Sequence, residues 1–161
     1  MGLFGFGKKK TWDIEKIDEN KKKMKALFHQ VVEDADTYEV LYAYTSDVKT
    51  SNYIIARKTT YLYGSLILGY RKSDMSIVLV DTSPELDGCG EPRIYKRSEL
   101  KKAKVVQGEN ILYHQGGIMA GYSKFCVAEC YDEDYFAYIE QEKEAAKFNE
   151  FWPVYMKGQY E

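Results

Sequence analysis

Six positively charged side chains lie close together between residues 93 and 104. Within this run Lys102 and Lys104 alternate with Ala103, so a strand here would direct both lysines to one face. Such a face could bind an anionic ligand or lie against an anionic surface. Lysines also protect exposed edge strands from pairing with other chains, and this alternative stays open. The candidate binding residues are Arg93, Lys96, Arg97, Lys102 and Lys104.

The first ten residues combine apolar and basic side chains without a helical period, which predicts a flexible tail over residues 1–10. Apolar side chains of such a tail could enter a membrane interface while its lysines meet anionic lipid. The glycines followed by Lys8 resemble a phosphate-binding loop, but Lys9 stands where a Ser or Thr hydroxyl must reach Mg²⁺. The candidate membrane residues are Leu3, Phe4, Phe6, Lys8, Lys9 and Lys10.

Cys89 is the candidate reactive thiol, because it lies between two glycines in the proline- and glycine-rich loop 82–92. A nucleophilic thiol needs a base, and the two histidines, His29 and His114, are both distant from it in sequence. The spacing of His, Cys, Asp and Glu matches no metal-binding motif. The sequence therefore predicts no catalytic residue, no metal and no cofactor. Three cysteines, an odd number, favour reduced thiols over a disulfide framework.

Charge is segregated along the chain, although the net charge is only −2. Residues 91–107 carry six basic against two acidic side chains, and residues 126–150 carry eight acidic against two basic ones. A net negative chain lacks the electrostatic footprint of a nucleic-acid-binding protein. No apolar stretch approaches the ~18 residues of a membrane span, and the start does not match a secretory signal. These observations predict a cytoplasmic protein of bacterial type, with peripheral membrane attachment as an option.

The hydrophobic period changes twice, which predicts a single α+β domain over residues 11–161. Apolar residues recur at helical spacing over about 12–35, giving an N-terminal amphipathic helix. Alternation with a period of two then predicts a strongly bent antiparallel β meander of about seven strands over about 38–131, with a turn at 46–51. The acidic triplet 132–134 is typical of a helix start, and Pro153 of a helix end. A C-terminal capping helix is therefore expected over about 133–152.

This order of elements resembles that of bacterial pleckstrin-homology-like (PH/GRAM-like) domains. The resemblance covers roughly residues 38–152 and lies in the Ile94-Tyr95 stretch that runs to Leu100, the turn at Gly108, the strand around Phe125 and the start of the last helix. It implies a PH-like barrel or half-barrel and a binding or scaffolding role. The N-terminal helix and the long loop 82–92 are additions to that pattern. An α+β sheet covered on one face by both helices fits the same elements.

The sequence thus favours a non-enzymatic module that binds a protein partner or an anionic membrane surface. One alternative is a small-ligand-binding protein or enzyme whose site is formed by the tyrosine-rich sheet face and the loop 82–92. Another alternative is an oligomerisation or structural subunit. Fifteen tyrosines fit a half-exposed sheet, because tyrosine combines a large apolar ring with a wettable hydroxyl.

Overall fold

A computed structural model describes residues 11–52, 57–116 and 120–158, with residues 46–52 and 57–62 described as backbone alone. The described part contains helices α1 (Ile14–Val31) and α2 (Glu142–Lys157) and nine antiparallel strands in three sheets. The strands are β1 (Glu39–Asn52), β2 (Arg57–Arg71), β3 (Ser76–Thr82), β4 (Arg93–Lys96), β5 (Leu100–Val106), β6 (Glu109–His114), β7 (Tyr122–Phe125), β8 (Cys130–Tyr131) and β9 (Ile139–Glu140). The predicted α+β class is confirmed in this coarse form.

The first sheet joins β1, β2, β3 and β4 in chain order and is buried on both faces at its centre. In β2, Leu66 and Leu68 belong to one core, whereas Ile67 between them belongs to the other. Neighbouring strand residues point to opposite faces, so each face needs its own cover. Helix α1, the loop after β3 and residues 128–139 cover one face, and α2 with the second sheet covers the other.

Helix α1 packs on the first sheet through Phe28, whose ring is fully buried. The approach requires glycine at position 69, because a Cβ there would lie 2.4 Å from Cζ of Phe28. The Asp13 carboxylate caps the helix by accepting a hydrogen bond of 3.2 Å from the Lys16 N–H. The predicted range of 12–35 was too long, because the chain leaves the helix after Val31 and Asp34 adopts a left-handed φ of 56°.

The predicted range of 133–152 for the second helix was wrong at both ends. The acidic triplet does not cap a helix, since residues 132–138 form a loop and β9 follows before α2 begins at Glu142. At the other end α2 continues through Pro153 to Lys157. Burial of Tyr155 holds the last turn, and its hydroxyl donates a hydrogen bond of 3.0 Å to the Tyr95 carbonyl. Tertiary packing therefore outweighs the hydrogen bond that proline removes.

The strands form three sheets rather than the predicted single meander of about seven strands, and those that the structure describes do not close a barrel. The second sheet has the order β5-β6-β7, and β8 pairs with β9. Tyr44 and Cys126 join the first sheet to the second by two backbone hydrogen bonds of 3.0 and 2.7 Å. Two residues earlier in β1, the Gln141 side-chain amide pairs with the strand backbone, because it bonds both the N–H and the C=O of Tyr42, at 2.8 and 2.7 Å.

Candidate functional site

One hairpin of the second sheet carries two of the predicted basic residues side by side. Strands β5 and β6 are joined by Gln107 and Gly108, whose φ angles are 51° and 83°. Two left-handed residues make the tight turn that matches the twist of a hairpin. The resulting register places Lys102 opposite Tyr113 and Lys104 opposite Ile111.

Strand β7 extends the same face, because Tyr122 pairs with Tyr113 and Lys124 pairs with Ile111. Directly opposed residues share a face, so Lys104 and Lys124 flank the buried Ile111 there. In the neighbouring row Lys102 lies beside Tyr113 and Tyr122. We call this surface the basic face, and it consists of Lys102, Lys104, Tyr113, Tyr122 and Lys124. The opposite side of the sheet contributes Ala103, Leu112 and Phe125 to the core.

The basic face brings cations and aromatic rings into contact, with Lys102, Lys104 and Tyr122 exposed to solvent and Tyr113 and Lys124 partly buried. The Nζ atoms of Lys102 and Lys104 lie 4.8 and 5.6 Å from the ring centroid of Tyr113. Tyr122 is 57% exposed, and its ring lies 6.0 Å from that of Tyr113. The third lysine, Lys124, is partly neutralised, since its Nζ lies 3.6 Å from Oε1 of Glu109.

The tip of the β5–β6 hairpin presents apolar side chains on both of its sides, because Val106 shares the face of the lysines and Val105 points to the opposite side. Val105 and Val106 are 45% and 36% exposed. The hairpin therefore combines exposed apolar side chains at its end with positive charge along its flank. An element that enters the interface of an anionic membrane needs these two features together.

The remaining predicted basic residues lie elsewhere. Lys96 is exposed at the end of β4. Arg93 bonds Oδ1 of Asp81 at 2.9 Å and lines a polar cavity of about 370 Å³ together with Tyr122 and Lys124 of the basic face. Arg97 donates to the carbonyl oxygens of Tyr155 and Met156, at 2.9 and 3.3 Å, at the C-terminus of α2. That guanidinium therefore stabilises the negative end of a helix.

The candidate thiol Cys89 is half-buried against the core beneath α1, with Sγ 3.8 Å from the carbonyl oxygen of Leu27. The structure pairs each histidine with another residue: His29 lies 3.3 Å from Asp36, and Nε2 of His114 lies 3.1 Å from Oγ of Ser123. The Cys–His arrangement that nucleophilic thiol chemistry needs is thus not formed. The predicted membrane residues Leu3, Phe4, Phe6, Lys8, Lys9 and Lys10 lie outside the described residues.

Ser123, His114 and Tyr95 form a hydrogen-bonded group between the sheets that the sequence did not reveal. The Ser123 Oγ lies 3.0 Å from the Tyr95 hydroxyl as well as 3.1 Å from His114 Nε2, and the His114 and Tyr95 rings stack at 5.3 Å. A serine nucleophile needs a base that a third group orients. Within the described residues no carboxylate bonds the other ring nitrogen of His114. We therefore interpret Ser123, His114 and Tyr95 as a polar link between the two sheets.

A larger cavity, of about 470 Å³, lies beside Arg71 and the end of β2. Two of its three positive groups are already engaged, whereas Lys72 makes no ion pair among the described residues. Arg71 bonds Asp74 through two nitrogens, at 3.0 and 2.7 Å, and Lys147 lies 3.8 Å from Glu39. The bonds from Arg71 hold the pKa of Asp74 at about 2. This cavity therefore offers an anionic ligand a single lysine beside two carboxylates, Glu39 and Glu150.

A second tyrosine-rich region covers the face of the first sheet that carries residues 128–139. Phe136 contacts the rings of Tyr42, Tyr44, Tyr63, Tyr131 and Tyr135, at centroid distances between 4.7 and 6.4 Å. Burial raises the pKa of Tyr42 and of Tyr131, so both stay neutral hydroxyls. We call its outer part the acidic aromatic surface, and it consists of Tyr63, Glu133, Asp134, Tyr135 and Phe136.

No family model, curated protein or solved structure matches this chain. Across the described ranges no helix is long and apolar enough to cross a membrane. Nor do the described His, Cys, Asp and Glu side chains form a group of three or more that could hold a metal ion. What the protein binds must therefore be inferred from its own surfaces.

The sequence contained a signal for part of the basic face. A turn at Gly108 was predictable, and a two-residue turn there pairs Lys102 with Tyr113. The contribution of β7 was not visible, because Tyr122 and Lys124 join the face only through the register of a second strand pair. The stacking of Tyr63 on Tyr135 had no sequence signal, since the two residues are 72 positions apart.

Proposed function

We propose that this chain is a non-enzymatic binding module that attaches to an anionic membrane surface through the basic face. The observation that carries the proposal is the pair of exposed lysines, Lys102 and Lys104, on the flank of a hairpin whose tip exposes Val105 and Val106. Tyr122 adds an exposed aromatic ring, and such rings favour the headgroup region.

The expected attachment is weak and reversible. Each lysine near an anionic membrane contributes about 1 kcal/mol, and Lys124 contributes less because Glu109 lies beside it. The two valines are partly exposed already in the folded protein, so their insertion adds a fraction of the ~1.5–3 kcal/mol of a fully buried side chain. Stable anchoring generally takes a second signal. The basic tail predicted over residues 1–10 is the candidate for that signal.

The pleckstrin-homology-like resemblance is the fold-level part of the proposal. A four-stranded and a three-stranded antiparallel sheet followed by one helix supports it. Helix α1 and the β8–β9 pair would then be additions that cover the outer face of the first sheet. Fold alone transfers no binding residue, so the basic face carries the functional inference by itself.

Sedimentation with phosphatidylcholine vesicles, with and without phosphatidylserine, tests the proposal. We expect the double variant Lys102→Glu/Lys104→Glu to lose at least tenfold in affinity for the anionic vesicles, because two favourable charges become repulsive. The matched control is Lys22→Glu/Lys143→Glu, which makes the same change of net charge at two exposed helix positions. Equal losses in the two double variants would contradict a specific role for the basic face.

A third arm removes residues 1–10 and measures the same affinity. If this deletion lowers the affinity for anionic vesicles and Lys102→Glu/Lys104→Glu does not, the tail is the main attachment. No difference from the full chain would remove the tail from the proposal and leave the basic face as the sole contact.

A further inference from the structure

Two tyrosine rings of the acidic aromatic surface stack on each other at an exposed position. Tyr63 is 45% exposed and Tyr135 is 47% exposed, yet their centroids lie 4.7 Å apart with the planes inclined by 14°. Phe136 supports both rings edge-on, at 5.7 and 4.7 Å. Aromatic residues whose rings are exposed and already ordered contribute most to protein interfaces, because binding them loses little conformational entropy.

The loop that carries Tyr135 and Phe136 is anchored at both ends. Tyr131 and Ala137, which flank it, are each 2% exposed. The Ala137 N–H donates a hydrogen bond of 3.1 Å to the hydroxyl of Tyr42, and a turn within the loop bonds Phe136 N–H to the Glu133 carbonyl at 3.0 Å. The surface is therefore preorganised, which lowers the entropic cost of binding a partner.

A cavity of about 370 Å³ adjoins the stack, between α1, the loop 82–92 and the loop 132–138. Phe136 and Tyr138 supply aromatic wall, and the lining carries five carboxylates against two lysines. One of those lysines, Lys23, is engaged by Glu19 at 3.6 Å. The other, Lys16, holds its Nζ 4.9 Å from the ring centroid of Tyr138, which shows that this wall accommodates a cation.

We propose that the acidic aromatic surface and this cavity bind a partner protein through an extended segment rich in arginine. Charge complementarity selects a cationic segment, because Glu85, Glu133 and Asp134 lie in or beside the cavity. The planar guanidinium stacks on aromatic rings and bonds carboxylates with two parallel N–H groups, whereas an ammonium does neither as well. This site is separate from the basic face and attracts the opposite charge.

Fluorescence anisotropy with a labelled peptide of alternating arginine and glycine tests the proposal on the full chain. We expect Tyr135→Ala to weaken binding about tenfold, as truncation of an interface hot spot does. Its matched control is Tyr122→Ala, which removes a tyrosine of similar exposure, 57% against 47%, from the basic face. Vesicle affinity should respond in the opposite order, with a loss for Tyr122→Ala and none for Tyr135→Ala.

The charge requirement is tested by Glu133→Gln/Asp134→Asn against Glu99→Gln/Glu150→Gln, two pairs of exposed acids with the same change of net charge. The proposal expects at least a fivefold loss for the first pair and none for the second. Equal losses would assign peptide binding to net charge alone and overturn the proposal. A tenfold gain in peptide affinity on removal of residues 1–10 would also overturn the proposal, because the lysines of that segment would then be the groups that occupy the site. The proposed membrane function fails separately, in the vesicle assay.

Discussion

The basic face and the acidic aromatic surface are both rich in tyrosine, but the fold holds them in different ways. The basic face comes from one continuous stretch, β5 to β7, in which each strand pairs with the next. The acidic aromatic surface joins Tyr63 of β2 to Tyr135, 72 positions further along the chain. The residues beneath it depend on the contact of Tyr42 with Gln141, which are 99 positions apart. A local hairpin therefore supports one surface, and long-range hydrogen bonds support the other.

Substitution of Gln141 should separate the two surfaces most strongly. Gln141→Leu leaves the N–H and C=O of Tyr42 and the C=O of Ala128 without their partner, in a site where Gln141 is 1% exposed. We expect the free energy of unfolding, measured by urea denaturation, to fall by about 3 kcal/mol. Affinity for the arginine peptide should fall as well, because the loop that carries Tyr135 loses its anchor.

The control for this variant is Gln115→Leu. Gln115 is exposed and makes two long hydrogen bonds, of 3.4 and 3.3 Å, to backbone carbonyls beside the second sheet. We expect it to change stability by less than about 1 kcal/mol. An equal effect of the two substitutions would show that Gln141 does not organise the acidic aromatic surface.

The turn of the β5–β6 hairpin should have a smaller and local effect. Gly108 has a φ of 83°, so Gly108→Ala places a side chain in a left-handed conformation at a cost of about 1–2 kcal/mol. Vesicle affinity should fall with it, because the turn sets the register of Lys102 and Lys104, whereas peptide affinity should not change. Gly88→Ala is the control, since no atom lies within 4 Å of its added Cβ. A loss of peptide affinity in Gly108→Ala would show that the two surfaces are coupled.

The Arg71–Asp74 pair lies on neither surface and provides a reference for stability alone. Its two hydrogen bonds hold the pKa of Asp74 at about 2, below the unfolded value of about 3.9. The pair therefore stabilises the fold above about pH 4, and this contribution is lost progressively as the pH falls through about 2.

We expect Asp74→Asn to lower the free energy of unfolding by about 1 kcal/mol at neutral pH and by only a small part of that near pH 2. Both binding affinities should stay unchanged. A loss of either affinity in this variant would mean that lower stability by itself impairs binding, and the other variants would then need to be compared at equal stability.

The sequence predicted those features that short-range patterns encode. Helix α1 follows from apolar residues at helical spacing, and the hairpin turn follows from Gly108. The prediction failed where tertiary contacts outweighed local preference. The acidic triplet before Tyr135 has the composition of a helix cap, but the burial of Ala137 and Ile139 holds the following residues against the first sheet in a loop and a strand. Residues 46–51 were predicted as a turn, yet β1 runs through them in register with β2.

The candidate sites show the same difference between short-range patterns, which the sequence encodes, and tertiary contacts, which it does not. Alternation in the sequence was enough to place Lys102 and Lys104 on one face. It could not show that Arg97, from the same basic run, caps α2, because that contact joins residues 58 positions apart.

By itself the sequence determined the α+β class, the existence of both helices and the segregation of charge, since these depend on residue type and on spacing within one element. Only the tertiary structure decided how the sheets are divided, where α2 begins and ends, and which tyrosines meet. The physical reason is that burial and hydrogen bonding to distant partners, as in Gln141 with Tyr42, contribute more free energy than the local preference of any single residue.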